Sequence, residues 1–195
     1  MKTFFEALLV GLFIAGCATT PLSEYNQTLD KYSYHTQQYD GLYNTLEAEG
    51  TLLNSKVIAA QTHAQAEMYQ WSEETRKKEA SDFSARSQTE TQVFVTFFTP
   101  ERKLNELNKS QTLWKIYLDA NGKRFEGKAE KVKLLNQEIT KLYPYHNQWA
   151  NPYILKFQVP LKEVERFQSR ITLTGPIGTA TLNFEPVITQ TVITQ

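Results

Sequence analysis

The densest group of chemically capable side chains is an eleven-residue stretch, Tyr143-Pro144-Tyr145-His146-Asn147-Gln148-Trp149-Ala150-Asn151-Pro152-Tyr153. Its candidate binding residues are Tyr143, Tyr145, His146, Trp149 and Tyr153. Rings with an apolar face and a polar edge can stack on a sugar or clasp a peptide, and the two prolines would stiffen the loop that carries them. The same rings equally suit a loop that caps the open end of a β-domain and buries them in a satellite cluster. A second group is basic: Lys123, Arg124, Lys128, Lys131 and Lys133, with only Glu126 and Glu130 interspersed. It can meet anionic lipid headgroups or cell-wall polymers, or it can be the solvated face of a hairpin.

Catalytic chemistry finds no comparable group. No serine sits in G-x-S-x-G, and neither phosphate-cradling glycine motif is present. His35, His63 and His146 are far apart in sequence. His63 and Glu67 stand at i, i+4 on one helical face, but a zinc site needs three or four ligands. No enzymatic activity, cofactor or bound metal is expected.

What must position these groups is read from the rest of the chain. It has 195 residues, a length that supports one core plus an appendage. Its formal net charge is zero, which excludes a uniformly basic nucleic-acid binder. The zero is a sum of two unlike halves. Residues 18–90 carry six basic against eleven acidic side chains, and residues 91–195 carry fourteen against nine. The single cysteine excludes an intramolecular disulfide framework.

That cysteine, Cys17, ends the run Ala7-Leu8-Leu9-Val10-Gly11-Leu12-Phe13-Ile14-Ala15-Gly16, which follows Lys2. The run is too short to span a hydrocarbon core of about 30 Å and reads as the h-region of a signal peptide. Ile14-Ala15-Gly16-Cys17 resembles the lipobox of bacterial lipoproteins. The resemblance implies removal of residues 1–16, diacylglycerol on the Cys17 sulfur and an acyl chain on its amine, which together form a stable membrane anchor. Residue 18 is Ala and not the Asp that implies inner-membrane retention under the enteric-type rule, so the resemblance places the anchor at the periplasmic face of the outer membrane.

From Pro21 to Pro100 there is no proline, and apolar or aromatic residues recur at heptad-like positions from Leu22 to Trp71. The spacing predicts a helical segment over 17–90, as one long helix or as two, of about 22–39 and 54–88. Asp40-Gly41 and Gly50-Thr51 mark an interruption near 40–53, an irregular or extended connection in which Leu42 to Thr51 can be read as extended, and Asn54 is placed to cap the second helix. From Ser72 the pattern is polar nearly all round, as in a solvated helix. At Thr91 the period changes to two. Strands are predicted at 92–99, 112–119, 153–159, 167–174 and 179–185, with a hairpin return at Asn121-Gly122 and a short helix at 136–142. The tail Val187–Gln195 is a near-repeat with strand character.

The predicted fold class is therefore α+β: a helical segment followed, over 91–195, by a small antiparallel β-sandwich, immunoglobulin-like in architecture. The functional expectation is a lipid-anchored, non-catalytic binding or scaffold module of the envelope that meets a protein partner or a cell-wall polymer. The alternative is a subunit of an envelope transport or outer-membrane assembly complex that docks through the helical segment.

Overall fold

The computed structural model describes residues 20–187; the signal segment, Cys17 and the tail from 188 onward lie outside them. The chain forms helix α1 (Pro21–Tyr32), strands β1 (Ser33–Asp40) and β2 (Tyr43–Leu52), helices α2 (Ser55–Met68) and α3 (Glu73–Ser87), and strand β3 (Thr91–Phe98). There follow β4 (Lys115–Ala120), β5 (Lys123–Lys131), α4 (Asn136–Leu142), β6 (Asn151–Phe157), α5 (Lys162–Glu165), β7 (Ser169–Gly175) and β8 (Gly178–Phe184).

All eight strands belong to one antiparallel sheet of order β1-β2-β3-β6-β5-β4-β7-β8, curled into a nearly closed barrel. This overturns the helical segment followed by a sandwich. The outermost strands meet through side chains: Gln38 Nε2 donates to the Thr179 carbonyl (2.6 Å), and Tyr34 sets its ring edge-on to Phe184 (5.2 Å). The sheet turns its sharpest corner in β5. Residues 123–126 pair with β4, and residues 127–131 pair with β6. Gly127 stands at the changeover, where a Cβ would overlap the Phe157 ring, so the corner needs a residue without a side chain.

The barrel interior is packed. Leu46, Ala48 and Leu52 of β2, Val93, Val95 and Phe97 of β3, and Tyr153, Leu155 and Phe157 of β6 meet Ile116, Leu118, Ile171, Leu173, Leu182 and Phe184 from the other side. A second cluster lies outside the barrel. Phe94, which faces outward from β3, is covered by Tyr25, Leu29 and Tyr32 of α1, Val57 and Ala64 of α2, and Ile139, Leu142 and Tyr143. The β3 region of the sheet is therefore buried on both faces, which is why β3 reads as a continuous apolar run.

The corrected elements have local causes. The helix expected over 22–39 stops at Tyr32, and residues 33–40 pair as β1 with the extended stretch 43–52, which buries the alternating Leu46, Ala48, Gly50 and Leu52 and, at its end, Thr51 as well. Gly41, at φ +59°, makes the β1–β2 turn. The expected helix over 54–88 breaks at Gln70, which has φ +50°. Ser72 then caps α3, its hydroxyl accepting from the Thr75 N–H (3.2 Å). Asn54 caps α2 as expected, accepting from Lys56 and Val57 N–H (3.0 and 2.9 Å). Helix α3 has no buried residue, in keeping with its polar pattern.

Candidate functional site

The barrel has two chemically different ends. At the end where β3 stops, Phe97 pairs with Asn151, and Trp114 sets its ring edge-on to Phe97 (4.9 Å). The connection from Thr99 to Trp114 closes this end. Trp114 Nε1 donates to the Leu104 carbonyl (2.7 Å), and Asn151 Nδ2 and the Tyr153 hydroxyl both donate to the Asn105 carbonyl (2.7 and 3.2 Å). The Tyr153 hydroxyl also accepts from the Leu107 N–H (3.3 Å). Tyr153 is fully buried inside the barrel, and burial pushes its phenol pKa up.

The structure separates the other aromatic-loop candidates. Tyr143 is buried and stacks on Phe94. The Tyr145 hydroxyl continues a chain from Ser33 Oγ through Thr51 Oγ1, with spacings of 2.5 and 2.6 Å. Burial raises the pKa of both phenols, so both stay neutral. His146 is buried, with Nε2 3.0 Å from Asn136 Oδ1 and Nδ1 without a partner among the described residues. Burial lowers its pKa and so favours the neutral ring, in which the 3.0 Å contact is made by the tautomer whose Nε2–H donates to Asn136 Oδ1. Trp149 alone of the five stands out in solvent.

Beside this chain lies a small polar pocket of about 190 Å³, lined by Asn26, Asp30, Ser33, Glu49 and Tyr145 among others. Burial raises the Glu49 carboxyl above its ordinary range, partly opposed by the nearby His35.

The opposite end carries the β4–β5 hairpin. Asn121 and Gly122 both have positive φ (49° and 71°), as a type I′ turn requires. Beside the hairpin is an open cleft of about 490 Å³ whose charged lining is Asp119, Lys123, Arg124 and Arg170, with Asn121 and Asn183 adding amides. Arg124 binds Asp119 through two hydrogen bonds, from Nε (2.7 Å) and Nη2 (2.9 Å), which hold the carboxyl pKa below its ordinary value. Arg170, opposite Asp119 in the β4–β7 register, donates from Nε to Asn183 Oδ1 (3.0 Å). Three cations against one carboxylate give the cleft a net charge of +2.

The predicted basic run is thus divided. Lys123 and Arg124 reach the cleft. Lys128 lies farther along β5, opposite Lys156, where Glu130 pairs with Lys156 (2.7 Å) and Glu126 with Lys115 (3.6 Å). Lys131 ends β5, and Lys133 lies beyond it. Arg170 and Asn183 escaped the sequence reading, although Arg170 occupies a polar position between the buried Ser169 and Ile171.

Among the described residues no three His, Cys, Asp or Glu side chains converge in a metal-binding arrangement. His63 is exposed, and Glu67 pairs with Arg76 (2.9 Å). No described helix is long and apolar enough to cross a membrane. No family model, curated protein or solved structure matches the chain.

Proposed function

We propose that this chain is a lipid-anchored envelope protein whose barrel is a non-catalytic binding module, and that its basic cleft takes the anionic groups of a cell-wall polymer. The observation that carries the reading is the convergence of Lys123 and Arg124 from β5 and Arg170 from β7 on one open cleft. The barrel interior is filled by side chains and leaves its polar display to the outside. A cleft of this charge attracts polyanions over a Debye length and releases them as salt rises. The lipobox-like Ile14-Ala15-Gly16-Cys17 supplies the location. Docking through the helical segment has less support, because the apolar faces of α1 and α2 are occupied by the chain's own outer cluster.

Two measurements test this. Cys17→Ala should move the protein from the membrane to the soluble fraction; unchanged membrane retention refutes the anchor. Co-sedimentation with isolated cell-wall material should fall several-fold for the double variant Lys123→Glu, Arg170→Glu. Equal sedimentation of the folded variant and the wild type refutes the cleft.

A further inference from the structure

We infer that the aromatic end of the barrel rests on a lipid bilayer, which turns the basic cleft away from the membrane. The inference builds on the Cys17 anchor proposed above and adds an orientation to it.

The observation is that five of the six most exposed large apolar side chains lie at one end of the barrel. The β1–β2 hairpin runs on past Glu47, whose partner Phe98 ends β3. It projects four more residues to Tyr43, about 13 Å at 3.3 Å per residue. At its tip Leu42 is 96 % exposed, Tyr43 80 % and Tyr39 58 %. At the same end of the barrel Leu113 is 63 % exposed, next to Trp114, and Trp149 is 71 % exposed, two residues before Asn151. Single exposed apolar residues are ordinary. Here three separate connections each turn theirs outward at one end, while the opposite end presents Lys123, Arg124 and Arg170 and, of large apolar side chains, the less exposed Phe167.

The chemistry favours a bilayer over a protein partner. Tyr and Trp are the side chains of the membrane–water interface, where an apolar ring and a polar edge are both satisfied. Protein anchors instead gather in shared desolvated pockets. Side chains on separate convex tips match a continuous, deformable medium. The exposed Arg102 and Lys103 on the 99–114 connection suit anionic headgroups. The anchor makes weak contacts sufficient. Only Ala18 and Thr19 separate Cys17 from Thr20, three steps of at most about 11 Å in all, so the domain is held at high effective concentration against the surface.

The test uses the full-length lipoprotein reconstituted in vesicles of phosphatidylethanolamine and phosphatidylglycerol carrying brominated acyl chains. In a Trp71→Phe background the remaining tryptophans are Trp114, buried in the core, and Trp149. The expected result is strong quenching by the brominated lipid, most of it lost on adding Trp149→Phe and regained when Leu42→Trp is added to that chain. Emission from both reporter positions that is no lower than in unbrominated vesicles overturns the inference. Flotation of the same vesicles reports the anchor separately. Protein that floats unquenched keeps the anchor and loses the seat; protein that neither floats nor is quenched loses both. Unquenched reporters that are shielded from an aqueous quencher only in native membranes assign this end to a protein partner, which also overturns the inference.

Discussion

The ring of Tyr143 lies on the ring of Phe94 with centroids 3.4 Å apart and planes 4° from parallel. Phe94 is the one outward-facing ring of β3 in the outer cluster, and Tyr143 is the first residue of the aromatic loop. The stack therefore ties that loop to the sheet. It directs Tyr145 toward Thr51 and leaves Trp149, farther along, free to face solvent. A loop that looks like one recognition surface in the sequence is a structural cover with a single exposed ring.

Tyr143→Ala should accordingly cost about 3–5 kcal/mol, the range for emptying a buried aromatic site. Trp149→Ala should stay within about 0.5 kcal/mol, as surface changes do. Urea unfolding of the two variants checks this, and equal costs would contradict the division of the loop.

At the β5 corner, Gly127→Ala must push the Phe157 ring out of the barrel core or open the strand pairing. The expected cost is about 1–3 kcal/mol, as for overpacking. Adding Phe157→Leu to Gly127→Ala should recover part of it, since the two sites are in contact and their effects are coupled. Strict additivity of the two changes would show that the clash is relieved elsewhere.

The buried His146 and the half-buried Glu49 give the stability profile opposite slopes. His146 titrates below its ordinary 6.5 in the folded state because burial disfavours its charged form. The unfolded chain then binds protons more readily, so this contribution is complete above 6.5 and is lost as pH falls below it. Glu49 titrates above its ordinary 4.5 because of burial. Its contribution is complete below 4.5 and declines as pH rises toward the folded-state value. Thermal melts from about pH 4 to 8 should show His146→Gln flattening the acid-side loss and Glu49→Gln raising Tm more at neutral than at acid pH. A Glu49→Gln gain of equal size at both extremes would mean that the carboxylate is not the source.

Much of the barrel was legible locally. Asn121-Gly122 marked its hairpin, Asn54 its cap, and α4 spans the predicted residues 136–142. What failed was global. The heptad-like series carried a helix through residues 33–40, which instead pair as β1 with β2, and Leu46 and Gly50 fit both that series and the alternation of β2. Strand count and alternation are alike in a sandwich and a barrel. The closing contacts, Gln38 to Thr179 and Tyr34 to Phe184, join residues at opposite ends of the chain, which no local pattern encodes. The cleft was half legible for the same reason: Lys123 and Arg124 are neighbours in sequence, while Arg170 arrives only through the β4–β7 register.

That register makes Asp119 the place to tune the cleft. It is paired to Arg124 and sits opposite Arg170, so it offsets one of the three cations. Asp119→Asn raises the cleft from +2 to +3 while keeping an oxygen that Arg124 can reach. On the proposed function, cell-wall sedimentation should then strengthen at low salt and fall more steeply as salt rises, because a larger charge is being screened. The unfolding midpoint should move little, since the ion pair lies at the surface. Stability comes from the apolar interior and affinity from the charges around the cleft, so the two should respond independently. An Asp119→Asn chain that folds normally and binds no more tightly than wild type would remove the cleft's charge as the source of recognition.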